Sequence, residues 1–258
     1  MENIAVVLLT CEIEYLEEWY LHHKKVGFNN FFVFLDSQFV YDLNKLDKNL
    51  LSEIKNIKIF NTTKFEDTMP LALLYTSFCY KYIDFDYILF IDSDEYYESR
   101  TNNINEDIFL LTREYGSFDA LGLCWRNYGS SPLFENRMPI TSYTQWFPVN
   151  YIKSLVNPKS VYYFTNPHKA LLKGGSDKYI NELGEVINTH KLSNHTSEKI
   201  WIKHVRTRSK SEWLSKMKRK GWYEKIAVHN KLIENNPTKF KNHYDYLNIY
   251  NSKCLFIN

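Results

Sequence analysis

Apolar residues recur along the first hundred positions in two alternating rhythms. Ile4 to Leu9 is a continuous β-prone run, of the kind that forms a strand buried on both faces. From Glu14 to Val26, Leu16, Trp19, Tyr20 and His23 recur at helical spacing, and Gly27 ends the segment. Phe31 to Leu35 predicts a second strand that closes on Asp36. Tyr41 to Ile54 predicts a weaker helix, Ile57 to Phe60 a short strand, and Met69 to Ile83 a helix with Pro70 near its first turn. Tyr87 to Ile91 is the next buried strand, and it runs straight into Asp92-Ser93-Asp94-Glu95. This βαβαβαβ order predicts an α/β fold with a mostly parallel, Rossmann-like sheet. Ligands bind such sheets at the carboxyl ends of the strands, so Asp36 and Asp92 should face one crevice.

Past residue 100 the rhythm loosens. Ile104 to Tyr115 reads as a helix, Ala120 to Trp125 as a strand, and Gly129-Ser130-Ser131-Pro132 as a turn. Tyr151 to Leu155, Val161 to Phe164 and Val186 to Thr189 predict short strands of a second, partly antiparallel layer. Ser197 to Trp222 reads as a mostly helical, basic region. No repeat or linker interrupts the chain, so its 258 residues are expected to form a single domain.

Composition changes this picture little. A hydrophobic fraction of 44% excludes disorder. The 20 Tyr and 17 Phe would suit sugar-ring stacking, although abundant Asn and Lys point to codon bias as the source. A net charge of +2 argues against nucleic acid as a partner. Cations do gather late in the chain, at Lys203, Arg206, Arg208, Lys210, Lys216, Lys218, Arg219, Lys220 and Lys225. Such a skew could face a diphosphate, an acidic acceptor or an anionic membrane, or form a solvated helix face. Cys11, Cys79, Cys124 and Cys254 form no CxxC pair, and the first three lie in or beside apolar segments. With neither a signal peptide nor a membrane-length apolar run, a cytoplasmic chain is expected, peripheral at the inner membrane face if the basic region binds lipid.

The candidate chemistry sits at Asp92-Ser93-Asp94. Two carboxylates one residue apart at a strand end, with Glu95 adjacent, repel one another unless solvent or a cation lies among them. Mg²⁺ and Mn²⁺ suit that place, because such ions take one or two carboxylates and fill the rest of their shell with water and phosphate. Both aspartates are expected to face solvent and the ion.

Several blocks together resemble one enzyme group. Glu14-Tyr15-Leu16-Glu17-Glu18-Trp19, with His22, His23 and Gly27, is similar to the opening of family-2-like and family-92-like glycosyltransferases of GT-A type. Asp36-Ser37, Phe85 to Tyr96, Trp125 to Ser131, Lys153-Ser154, Pro167-His168 and the stretch from His204 through Ser209, Glu212 and Trp213 to Lys216 resemble later blocks of that group, in its order. The chain departs from the group's usual Asn-Glu pair at Cys11-Glu12. The resemblance implies a GT-A fold with a nucleotide-binding half (1–100), a donor-sugar and acceptor half (101–222) and a C-terminal extension (223–258). It also implies a nucleotide-sugar donor, usually a UDP-sugar, an inverting transfer to a glycan or lipid-linked glycan, and a Mn²⁺ or Mg²⁺ cofactor. On that basis Thr10, Glu12 and Asp36 would lie near the nucleoside. Asp92 and Asp94 would hold the metal and diphosphate, joined by His168. Trp125 would line the donor side, and His204 with Lys216 would close over the phosphates.

Inversion needs a general base for the acceptor hydroxyl. Glu135, just after the Gly-Ser-Ser loop, and Asp119, before the fifth strand, are the two candidates, with Glu135 the better placed. Competing classes are a phosphatase with a nucleophilic Asp, a nucleotidyltransferase acting on sugar phosphates, and a non-catalytic carbohydrate-binding protein. The first would carry its acid pair after the first strand. The second would carry a glycine-rich loop where this chain has Thr10-Cys11-Glu12-Ile13-Glu14. The third would need no acids at a strand end.

Overall fold

Strand and helix boundaries follow the local chemistry closely in the first part of the chain. The computed structural model describes residues 2–10, 12–36, 56–60, 69–129, 137–209 and 211–213. In chain order, β1 is Ile4–Thr10 and α1 is Leu16–Lys25, entered through a 3₁₀ turn at Ile13–Tyr15. β2 is Asn30–Asp36, β3 is Asn56–Phe60 and α2 is Met69–Lys81. Then come β4 (Tyr87–Asp92), β5 (Glu95–Ser99), α3 (Ile104–Tyr115) and β6 (Ala120–Tyr128). β7 (Trp146–Val156), β8 (Val161–Asn166), β9 (Lys169–Leu172), β10 (Tyr179–Ile180) and β11 (Ile200–His204) complete the described strands.

Nine strands form one mixed sheet in the order β3-β2-β1-β4-β7-β6-β11-β5, with β10 pairing on β6; β8 and β9 pair separately. The segment β3-β2-β1-β4 is parallel throughout, while β7 runs antiparallel to β4. The result is a mixed α/β, Rossmann-like architecture. β4 is buried from Tyr87 to Ile91 because α2 covers one of its faces. There Tyr75 stacks on Phe90 with ring centroids 4.2 Å apart, and Phe78 meets Phe32 edge-on at 4.8 Å. α1 buries Leu16, Trp19, Tyr20 and His23, the residues its periodicity selects. Gly27 then takes φ +101°, a left-handed turn that a side chain disfavours, and the helix stops. α3 starts where the Asn103 side chain accepts from the backbone N–H groups of Asn105 and Glu106 at 3.0 and 3.3 Å.

The chain forms two compact units, residues 1–125 with 150–202, and residues 126–149 with 203–258. The first holds the parallel strands, the three α-helices and β8 to β10. In the described part of the second, Arg126 lies over the Trp146 ring at 4.3 Å and Lys203 over the Tyr128 ring at 4.5 Å. Those contacts bear on the basic stretch. Lys203, His204 and Arg208 are buried, so a solvated helix face does not describe them.

Three expectations change. Residues 200–204 form β11 rather than a helix, because Ile200 and Ile202 alternate with Trp201 and Lys203 at the period of a strand. The entry to β11 is fixed by the buried Glu182 carboxylate, which accepts from the N–H groups of Glu198, Lys199 and Ile200 at 2.6 to 2.7 Å. Val186 to Thr189 forms no strand, only a single bridge between Val186 and Ile180. β5, directly after the acidic triplet, is an element the sequence pattern had not suggested. The predicted helix at Tyr41–Ile54, residues 214–222 of the basic region and the extension 223–258 lie outside the described residues. So do Cys11 and Cys254, whereas Cys79 and Cys124 are buried free thiols. No described helix is long and apolar enough to cross a membrane.

Candidate functional site

Parallel pairing brings three of the expected residues to one edge of the first unit. Leu9 is level with Asp92 and Thr10 with Leu35, so Thr10, Asp36 and Asp92 end β1, β2 and β4 side by side. Glu12 joins them from the loop after β1. Its backbone N–H donates to the Thr10 hydroxyl at 2.7 Å, and its buried carboxylate accepts from the Ser93 hydroxyl at 2.8 Å. Glu12 thereby fixes the turn between the two aspartates.

Within that turn the acids differ sharply. Asp92 is 46% exposed at its side chain. Asp94 is only 5% exposed, so of the two aspartates expected to face solvent, Asp92 is the one that does. Glu95 is fully buried, and one of its carboxylate oxygens accepts from the Asp92 N–H at 2.9 Å. The cation that such crowding requires comes from the chain itself. Lys153, on β7 and 1% exposed, places its ammonium 3.1 Å from Asp92 and 3.0 Å from Glu95. Burial works against that charge, but the Asp92 and Glu95 carboxylates outweigh it and hold the lysine above its ordinary pKa. Burial also raises the Glu95 carboxyl, with Lys153 opposing and Asp92 and Asp94 adding to it. The second Glu95 oxygen has no hydrogen-bond partner among the described residues. The antiparallel register explains how β7 reaches the turn: Ile88 is level with Val156 and Leu89 with Leu155, which carried forward puts Ile152 level with Asp92.

His168 stands on the same side. Its Nδ1–H donates to the Ile152 carbonyl at 3.0 Å, which leaves Nε2 as the lone-pair nitrogen of a neutral ring. Burial, then Lys153, lowers its pKa to about 4, while Asp92 pulls the other way. Because the folded value lies below the unfolded one of about 6.5, the unfolded chain binds more protons between those limits. Stability from this residue is therefore present above pH 6.5 and lost as pH falls toward 4. Urea unfolding at the two ends of that window should show wild type losing more stability on acidification than His168→Gln; equal losses would contradict the assignment. Trp125 packs beside His168, with ring centroids 5.3 Å apart, and both adjoin Tyr151.

Other expected residues fall elsewhere. Asp119 lies at the amino end of β4, opposite Asp92: its carbonyl accepts from Asn157 N–H at 2.7 Å, and the neighbouring Phe118 carbonyl accepts from the Tyr87 hydroxyl at 3.1 Å. Asp119 is thus not brought to the acidic edge. His204 belongs to the second unit, where its Nδ1 meets Asn127 Oδ1 at 2.7 Å. Glu135 and Lys216 lie outside the described residues, as do Ser130 and Ser131. Lys153 was singled out only as part of a block that resembles the group, and neither its ion pair nor the structural part of Glu95 was expected. A lysine between Ile152 and Leu155-Val156, in a segment predicted as a strand, was the available signal.

Among the described residues, no three His, Cys, Asp or Glu side chains are spaced to enclose a metal. Half-exposed Asp92 and the neutral Nε2 of His168 nevertheless suit an ion that keeps several waters and takes the rest of its shell from phosphate.

No known family profile matches the chain, and no curated protein matches it. Among solved structures, S. aureus TarS 1–349 in complex with UDP is similar at 15% identity and a TM-score of 0.37, over 60% of this chain and 47% of that one. A longer S. aureus TarS structure is similar at 13% identity and a TM-score of 0.32, over 60% and 28% of the two chains. A protein described as a glucose-1-phosphate thymidylyltransferase from Bacillus anthracis, in complex with sucrose, is similar at 9% identity and a TM-score of 0.35, over 61% and 72%. The chain spans about half the length of TarS 1–349 at 47%.

Proposed function

We propose that this chain is a metal-dependent glycosyltransferase that passes a sugar from a UDP-sugar to a glycan or lipid-linked glycan, with inversion. The observation that carries the reading is the half-exposed Asp92, held by a fully buried lysine–glutamate pair at an edge it shares with Thr10 and Asp36. An acid fixed so firmly, yet open to solvent, suits a ligand that arrives with its own phosphates.

Asp92 and His168 Nε2 would hold a Mn²⁺ or Mg²⁺ ion, with Asp94 behind them. When bound, such an ion supplies neutralisation of the charge that gathers on a departing diphosphate. The chain's own part is positional. Lys153 prevents Asp92 from turning away, and Glu12 with Ser93 keeps the turn from opening. Thr10 and Asp36, at the ends of β1 and β2, would flank the nucleoside. Glu135 is the proposed base for the acceptor hydroxyl. Lys216 and His204 are assigned to the phosphates by resemblance alone.

A product assay separates this reading from nucleotidyl transfer. Incubated with UDP-glucose, UDP-galactose or UDP-N-acetylglucosamine and Mn²⁺, the protein is expected to release UDP from one of them. Pyrophosphate formed from UTP and a sugar phosphate, with no UDP release, would assign the chain to nucleotidyl transfer instead.

A further inference from the structure

Within the first unit lies a recess of about 420 Å³ whose walls include Asn181, Glu185, Asn188, Thr189, Lys191 and Asn194. That volume falls in the range of about 300–1,000 Å³ usual for small-ligand sites. Its chemistry is unusual for an ordinary surface dent. The amides of Asn188 and Asn194 are exposed and make no hydrogen bond to other described residues, so each offers a donor and an acceptor in one plane. Asn181 is committed instead to its own loop, donating to Glu185 at 2.7 Å and accepting from the Leu183 and Glu185 N–H groups at 2.9 Å.

One wall of the recess continues into aromatic surface. Lys191 lies over the Tyr151 ring at 5.7 Å, and Tyr151 stacks on His190 with centroids 5.8 Å apart. Tyr151, at 36% exposure, also meets His168 at 6.0 Å. Backbone bonds hold this wall against β7, from Leu192 N–H to Asn150 O at 2.8 Å and from Ile152 N–H to His190 O at 3.3 Å. Ile152 is the residue level with Asp92, so the backbone that carries Lys191 pairs with β7 beside the strand end that carries the acid.

Planar amides that can each bridge two neighbouring hydroxyls, with a partly exposed aromatic ring close by for C–H packing, are what an uncharged sugar needs. We propose that this recess binds the saccharide acceptor, with Asn188 and Asn194 on its hydroxyls and Tyr151, beside Lys191, at its rim. The inference rests on the reading of the Asp92 edge as the transfer site.

Saturation-transfer NMR and calorimetry with maltose, lactose and N,N′-diacetylchitobiose, without nucleotide, test it on the full chain. At least one disaccharide is expected to bind. Asn194→Ala and Tyr151→Ala should each weaken that binding about tenfold, the loss of roughly one good contact. Asn194 is exposed, so its variant stays informative if the tyrosine variant fails to fold. UDP affinity with Mn²⁺ should be unchanged in Asn194→Ala. Absence of binding by all three sugars, or binding that Asn194→Ala leaves intact, overturns the proposal. UDP binding without sugar binding rejects the recess alone. Sugar binding with no UDP binding rejects the transferase reading and keeps the recess as a sugar site.

Discussion

Asp92→Asn is expected to lower UDP release from the donor by about 10²–10³-fold, the usual effect of removing one charge-stabilising group at a reacting centre. The fold should survive the change. The Asp92 side chain is 46% exposed, and its amide replacement keeps an oxygen for Lys153, whose second partner Glu95 remains at 3.0 Å. A substitution of this kind at a half-exposed position costs about 0.5 kcal/mol or little more. Rate and thermal unfolding measured on one preparation separate the two effects. A wild-type rate in this variant would remove Asp92 from the site, and an unfolded variant would make its role structural.

The second large effect falls on stability. Lys153→Met is expected to cost about 3–5 kcal/mol, because it strips a buried carboxyl of its cation and fills the space with a chain that cannot donate. Lys153 is 1% exposed and Glu95 fully buried, so water cannot take over the lost contacts. The double variant Lys153→Met with Glu95→Gln should recover at least half of that loss, since the remaining group is neutral. Urea unfolding of the wild type, the single variant and the double variant reads both numbers. A single variant within about 1 kcal/mol of wild type would show that the pair adds little, as many ion pairs do.

What was legible in the sequence is what local chemistry decides. Runs such as Ile4 to Leu9 and Tyr87 to Ile91 announce strands buried on both faces, and the parallel order then places Thr10, Asp36 and Asp92 at one edge. Lys153 was not legible in this role, because its partner Asp92 lies 61 residues earlier and meets it only through the antiparallel β7. β11 was missed for a related reason. It spans only five residues ahead of a basic stretch, and the group that fixes its start is Glu182, up to 18 residues before the N–H groups it accepts from. Asp119 depends on direction as well as spacing: it precedes β6 and lies beside Tyr87 at the start of β4, at the other end of that strand from Asp92. The tyrosines and asparagines put down to codon bias include Tyr151, Asn188 and Asn194, and composition alone could not single those three out.

The proposed function requires that the Asp92 edge bind a nucleoside diphosphate together with a divalent cation. Calorimetric titration of UDP into the wild type and into Asp92→Asn, with and without Mn²⁺, tests it most directly. Wild type is expected to bind UDP more tightly with Mn²⁺ than without it, and the variant to lose that strengthening. UDP affinity that is the same in all four titrations, or no binding in any of them, would contradict it.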